Sequence, residues 1–286
     1  MSDKYSLLGY PLKHTMSPPI HKRLFELSGR KEGDFEYFLS EIPPENLPEA
    51  YENTLKGLVG YNITIPYKVD IIPYLTRLDE SAAKYRSVNC VRNRDGEAVG
   101  FNTDCKGFLR SVTEEGGSLS ERVLQAGCGG VGRMMAIEAV CSGADLTICV
   151  RKGSEEKVRP VIEYREAHLD DENVAKSKIT VVHEDEISGH FDLLMNSTSV
   201  GMFPNVDACP VPDEAIKNSD MIFDVIYNPR DTLLIKKATE YGKKTVGGMA
   251  MLVWQAVVSH EIWNGSKFAY EDIARLISDM EELMKK

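Results

Sequence analysis

The stretch RVLQAGCGGVGRMMAIEAVCSGA, residues 122–144, reads as a strand, a glycine-rich turn and a helix. Gly127, Gly129 and Gly132 fall in the spacing G-x-G-x-x-G, with Gly130 and Val131 between them. Glycines allow a tight turn and a close backbone approach, and the following helix offers unpaired N–H groups and a positive dipole end to a pyrophosphate. The motif alone is weak. Its setting is the required one: a strand before, a helix after, and a second strand, DLTICVR, about 20 residues on. This predicts a Rossmann-type, doubly wound dinucleotide-binding domain.

Working outward, apolar strands alternate with amphipathic helices along all 286 residues, the pattern of an α/β chain with a mostly parallel sheet. The length suits two domains. Boundaries near 105–120 and 245–250 set off the nucleotide domain, residues 107–246. SPPIHKRLFELSG reads as a helix with Ser17 as N-cap, Pro18 at the first helical position and Gly29 past its end. SVNCVRN and EAVGFNT read as strands around a turn at Asp95-Gly96. In the last helix Ile273, Leu276, Ile277, Met280, Leu283 and Met284 share one stripe.

Composition narrows the function. A net charge of −10 disfavours a nucleic-acid partner, which needs a basic face. No run of about 18 apolar residues spans a membrane, and the N-terminus lacks a signal-peptide core. Six cysteines form no C-x-x-C and no zinc-like cluster, so they read as reduced thiols of a cytoplasmic protein with no metal site.

The second strand of the nucleotide domain ends in Val150-Arg151-Lys152, where an NAD site usually carries Asp or Glu. Two cations suit a 2′-phosphate, and Arg133 adds a third, so NADP is expected over NAD. Arg151 and Lys152 also read as ordinary solvated charges opening a loop.

GYNITIPYK, residues 60–68, is a strand that stops at Pro66 and presents Lys68. A helix starting beside Pro66 would put Lys68 in its first turn, where the dipole opposes a cation and lowers its pKa. A surface lysine at a helix start is the plainer reading. GFNTD, residues 100–104, likewise ends a strand and opens a helix, and Asp104 reads either as an N-cap or as a carboxylate at the ligand-binding strand edge.

Taken together, GYPLKHTMSPPIH, GYNITIPYK, SVNC, GFNTD, GCGGVGR, NSTSVGM, DVIYNP and GGMAMLVWQA resemble, in order, the motifs of the shikimate dehydrogenase family. The resemblance implies NADP-linked interconversion of shikimate and 3-dehydroshikimate, in the aromatic amino acid pathway, by a catalytic pair, Lys68 and Asp104. It implies that residues 1–106 plus 247–286 form a substrate-binding α/β domain with a mostly parallel sheet, with substrate contacts from Thr15, Ser17, Thr64, Asn89, Tyr227 and Gln255. It also implies cofactor contacts from Gly127, Gly129, Gly130, Val131, Gly132, Arg133, Arg151, Lys152, Val225 and Gly248. Gln255 lies in an apolar helix, so its amide needs a polar partner.

Three departures stand out. Thr15 replaces a serine, Ser87-Val88-Asn89-Cys90 replaces A-V-N-T, and Val150-Arg151-Lys152 replaces N-R-T. They keep open a quinate/shikimate dehydrogenase with NAD or dual cofactor use. A non-catalytic sensor would not need both Lys68 and Asp104, and a folate-pathway dehydrogenase would not need this polar set. The expected partner is a small hydroxy acid, and the expected assembly is a monomer or homodimer.

Overall fold

A computed structural model describes residues 2–13 and 15–284. The chain begins with β1 (Asp3–Gly9), α1 (Ser17–Leu27), β2 (Phe35–Glu41), α2 (Leu47–Asn53) and β3 (Gly60–Ile63). Next come β4 (Arg77–Leu78), α3 (Glu80–Tyr85), β5 (Cys90–Arg94), β6 (Glu97–Phe101) and α4 (Thr103–Thr113). The middle holds β7 (Arg122–Ala126), α5 (Gly130–Cys141), β8 (Asp145–Cys149), α6 (Arg159–Ala167), α7 (Glu172–Lys176) and β9 (Lys178–Val182). Then follow β10 (Phe191–Asn196), α8 (Asp213–Lys217), β11 (Ser219–Asp224), α9 (Leu233–Glu240) and β12 (Lys244–Val246). The chain closes with α10 (Gly248–Asn264) and α11 (Tyr270–Leu283).

The chain divides into two compact units: Met1–Gly107 with Leu252–Lys286, and Phe108–Met251. The first holds a six-stranded sheet in the order β2-β1-β3-β5-β6-β4. Its pairs are parallel except β3 with β5 and β5 with β6. Asp95 and Gly96 turn between β5 and β6 with φ of 54° and 79°, the left-handed geometry that a tight hairpin needs. The second unit holds a wholly parallel sheet in the order β12-β11-β10-β7-β8-β9. That is the doubly wound order, with its switch point between β7 and β10. No helix among the described residues is long and apolar enough to cross a membrane.

Two local expectations need correction. Helix α1 takes in Ser17 as its first residue, and Met16 is the N-cap, with no side-chain cap. A Ser17 cap would need the N–H of Pro19, which has none, or of Ile20, which already bonds Met16 O at 3.2 Å. No α-helix starts beside Pro66 either. Residues 65–71 form consecutive turns that lead into a short 3₁₀ segment, Ile72–Tyr74. Pro73 lacks the N–H that a continuing helix would use. The helix-dipole argument for Lys68 therefore does not apply. Along the shared stripe of α11, Ile273, Leu276 and Met280 are buried and Leu283, at the helix end, is exposed.

The first unit's core is closed by the C-terminal helices. Trp263 of α10 is 1 % exposed, and its indole N–H donates to Val91 O at 2.9 Å. A Cβ on Gly60 would collide with that indole, so only glycine fits on β3 there. Tyr5 packs on Trp263 and Phe25 with ring centroids 5.0 and 4.9 Å apart. Beneath these rings His21 Nδ1 and His260 Nε2 lie 3.1 Å apart, both residues wholly buried. The outer nitrogens, His21 Nε2 and His260 Nδ1, have no hydrogen-bond partner among the described residues.

Burial pushes His21 down to about 3 and His260 well below its usual value, with the neighbouring His21 as a further cause for the latter. Both rings are neutral in the folded protein, but free histidine titrates near ~6.5 in the unfolded chain. Below that pH the unfolded state binds more protons, so stability falls as pH drops through 6.5 toward about 3. We expect Tm to decline between pH 7.5 and pH 5. A His21→Asn/His260→Asn double variant should start lower and decline less; an equal decline in both proteins would remove the histidines as the cause.

Candidate active site

Strand β3 delivers Lys68. After Ile63, Thr64 N–H bonds Leu8 O at 2.9 Å, and the chain turns with Tyr67 N–H on Thr64 O at 3.0 Å. Tyr67 and Ile71 are fully buried and anchor the turn, and the Tyr67 hydroxyl donates to Ile42 O. Lys68 lies between the two anchors, its own carbonyl accepting Val88 N–H at 2.7 Å. Tyr61 and Tyr67 are therefore packing residues of the first unit's core.

Helix α4 delivers the partner. Asn102 Oδ1 accepts Asp104 N–H at 3.1 Å, and its amide donates to Ser87 O at 3.1 Å. Asn102 thus serves the helix start, and the Asp104 carboxylate is not spent on capping. Its Oδ2 meets Lys68 Nζ at 2.6 Å, with the two side chains 22 % and 32 % exposed. Its Oδ1 accepts from Asn89 Nδ2 at 2.8 Å. Asn89 also donates to Thr103 Oγ1 at 3.0 Å and accepts Thr103 N–H at 2.6 Å. Thr103 in turn donates to Gln255 Oε1 at 3.3 Å, and Gln255 Nε2 donates to Leu252 O at 2.9 Å. The buried Gln255 amide has its polar partners.

Lys68, Asp104, Asn89 and Gln255 therefore share one network. Thr15 and Ser17 form a second element, in which Thr15 Oγ1 accepts Ser17 N–H at 3.1 Å. Thr64 is half-buried beside Gly9, where its methyl would collide with any added Cβ. Tyr227 belongs to the other unit and is 38 % exposed on the loop after β11. Sequence reasoning passed over Asn102 and Thr103 as working residues, although an Asn before a helical Thr-Asp is a capping signal. It also missed Tyr37, whose hydroxyl donates to Asn62 Oδ1 at 3.0 Å while Asn62 Nδ2 donates to Ser259 at 3.0 Å.

In the second unit the glycine loop sits at the switch point. Gly127 has φ +84°, and a Cβ there would strike Thr198. A Cβ on Gly132 would strike Ser197, whose hydroxyl donates to Ala126 O at 2.8 Å. Gln125 Nε2 clamps the loop from below through Gly127 O and Gly132 O, both at 2.8 Å. Gly129 and Gly130 are different. Nothing lies within 4 Å of an added Cβ at either. Gly129 is the N-cap of α5, so no capping side chain takes the first N–H groups of that helix.

A cavity of about 950 Å³ opens there, lined in part by Gly127, Gly129, Arg151, Lys152, Ser154 and Lys157. A phosphate-bearing dinucleotide fits these groups: bare backbone, a helix N-terminus and three cations. Gly130, Val131, Gly132 and Arg133 run along α5 outside the cavity's lining. Val225 and Gly248 meet just past the C-terminal ends of β11 and β12, where a Cβ on Gly248 would collide with Val225 O. Ser154 and Lys157 escaped notice because they follow the strand by several residues.

Buried Asp224 braces this side. Burial pushes its carboxyl up to about 6, against bonds from Ile226 N–H at 3.0 Å, Thr232 Oγ1 at 2.7 Å and Asn196 Nδ2 at 2.9 Å. Among the described residues, His190, Asp192 and Asp220 group together, but Arg122 holds both oxygens of Asp192 and His190 bonds Asp220 at 2.9 Å. All six cysteines are thiols.

The two sites define a two-unit α/β enzyme of the dinucleotide-binding class. Residues 7–91 match the family described as the shikimate dehydrogenase substrate binding domain. An NADP(+) shikimate dehydrogenase of Methanocaldococcus jannaschii is 32% identical over 96% of this chain and 95% of its own. A shikimate dehydrogenase solved in complex with NADP+ is 30% identical, with a TM-score of 0.81 over 97% of this chain and 95% of that one. The 5-ketofructose reductase of Gluconobacter sp. strain CHM43 is 29% identical, with a TM-score of 0.81 over 98% and 99%. The chain belongs to the shikimate dehydrogenase family.

The glycines yield a paired test. Gly132→Ala should lower Tm, since overpacking against Ser197 costs about 1–3 kcal/mol. Gly129→Ala should leave Tm within a few degrees yet weaken NADPH binding in a fluorescence titration. Equal NADPH affinity in Gly129→Ala and the parent would remove the loop from the binding site.

Proposed function

We propose that this protein interconverts shikimate and 3-dehydroshikimate with NADP as the hydride partner, in the aromatic amino acid pathway. The observation that carries the reading is the Lys68–Asp104 pair at 2.6 Å, fixed from behind by Asn89. The first unit would hold the hydroxy acid, and the second unit would hold the dinucleotide. The relatives' names, NADP(+) shikimate dehydrogenase, support both halves of this assignment.

Bound NADP supplies a hydride acceptor. The chain's residues must manage the proton. As the ring carbon gives up hydride, its hydroxyl loses a proton, and Lys68 Nζ, in its uncharged amine form, is the group that takes it and becomes the ammonium. In the reverse direction the Lys68 ammonium returns that proton and stabilises the developing oxyanion. Asp104 holds Nζ in place through Oδ2 and is itself held through Oδ1 by Asn89. An oriented carboxylate also accepts bonds from ring hydroxyls. Thr15 and Ser17, at the N-terminus of α1, suit the substrate carboxylate, because their hydroxyls can donate to it and the helix dipole there favours an anion, although Pro18 and Pro19 bring no N–H. Thr64, Gln255 and Tyr227 complete the substrate contacts that the family resemblance implies. Gly127, Gly129, Arg151, Lys152 and Lys157 suit the phosphates of the cofactor, and Val225 with Gly248 would border the nicotinamide. Six thiols without a disulfide suit a cytoplasmic setting.

A second reading, turnover of quinate or of a polyhydroxylated ketone, draws on Thr15 and on the 5-ketofructose reductase relative. Initial rates with shikimate, quinate and 5-ketofructose, each with the matching oxidised or reduced form of NADP and NAD, separate these readings. We expect shikimate with NADP to give the highest kcat/KM. Absence of turnover with every pair would sink the enzyme reading.

Lys68→Ala should lower kcat by about 10²–10⁴-fold, the range for loss of a positioned acid–base group. Its KM for shikimate should change only a few-fold. A near-normal kcat would take Lys68 out of the proton transfer.

A further inference from the structure

The nucleotide cavity carries both signs of charge. Arg151, Lys152 and Lys157 line it, and so do Glu184 and Asp185. Three cations against two carboxylates leave a formal charge of +1 on the lining. A phosphate monoester brings about −1.5 to −2 at pH 7. The cavity is thus only weakly biased toward the cofactor that carries the extra phosphate.

Lys152 is already engaged. Its Nζ donates to Asp185 Oδ2 at 3.3 Å, and both side chains are about 70 % exposed. The carboxylate is held where it is. Asp185 lies in a short 3₁₀ turn, Glu184–Glu186, directly after β9. His183 N–H donates to Glu186 Oε2 at 2.8 Å, closing that turn. The His183 ring bonds Val150 O through Nδ1 at 3.1 Å and meets Glu155 Oε1 through Nε2 at 3.3 Å. The ring therefore ties the end of β9 to the end of β8, one residue before Arg151. Asp185 stands beside the Arg151-Lys152 pair as part of that tie.

We propose that Asp185 is a cofactor-selectivity residue that narrows the preference for NADP over NAD. It competes with a 2′-phosphate for Lys152 and sets a negative charge next to it. It also offers an acceptor of the kind that ribose hydroxyls use in NAD sites. Both effects act on the ratio of the two affinities and leave the hydride chemistry alone. The inference rests on the assignment of this cavity to the dinucleotide.

The test is direct titration of the full chain with NADPH and with NADH at low salt, followed by fluorescence, for the parent, Asp185→Asn and Asp185→Glu. Asp185→Asn should tighten NADPH roughly three- to tenfold, the scale of a partly screened charge at a surface site. NADH should stay unchanged or weaken up to about twofold. Asp185→Glu keeps the charge and should keep the parent's ratio. The gain should shrink in about 0.5 M KCl, where the screening length falls below about 5 Å.

An equal change for both nucleotides, an unmoved ratio, or an Asp185→Glu protein that behaves like Asp185→Asn would overturn the proposal. So would failure of both nucleotides to bind. If the parent turns over no substrate while the ratio still shifts on Asp185→Asn, the activity reading falls and the selectivity role stands.

Discussion

A carboxylate that must hold an ammonium group cannot also serve as the cap of its own helix. Asp104 escapes that conflict because Asn102 takes its N–H. Asn89 then uses its amide on the same junction, both donor protons and the acceptor oxygen. Asn89 is 3 % exposed, so each of these bonds replaces water that cannot reach it. Leaving one such group unpaired costs about 1–3 kcal/mol. The position of the carboxylate is thereby written into the packing of β5, β6 and α4, and the lysine from β3 needs only to arrive opposite it.

The second unit solves a different problem with the same economy of contacts. A dinucleotide needs bare backbone at one point and tight packing at the next. Gly129 and Gly130 leave space, whereas Gly127 and Gly132 remove side chains so that Ser197 and Thr198 can close in from β10. Thr198 is oriented by Asn196, whose amide donates to Asp224. The brace therefore runs from β11 through β10 to the loop after β7. Because all three strands are parallel, their C-terminal ends, and so these polar side chains, gather at one edge.

Much of this was legible in the sequence. The strand, loop and helix around Gly127–Gly132 carried their own signals, and the order of strands and helices followed from periodicity. The Lys68–Asp104 pairing needed the family resemblance, because a lysine after a proline and an Asp in a helix's first turn each have a commoner use. Two local readings failed for one reason. At Ser17 and at Lys68 the decisive fact is which N–H groups proline removes, and Pro18, Pro19 and Pro73 lie downstream of the residue being judged. The residues Tyr37 and Ser259 that hold Asn62 were harder still. They lie far apart in the chain and meet only through tertiary packing, which no local pattern encodes.

The discontinuity of the first unit bears on how the chain comes to be folded. Residues 108–251 form a continuous unit and have all their strands in hand once synthesised. The first unit begins earlier and finishes later. Its strand β3 lacks a cover at Gly60 until Trp263 arrives, and its buried His21 lacks His260. During synthesis the lysine-bearing sheet must therefore wait, with apolar surface exposed, while the whole nucleotide unit emerges and folds ahead of it. The unit that carries Lys68 and Asp104 is the last to be completed, and a chain cut short before α10 would leave that unit without Trp263 and His260.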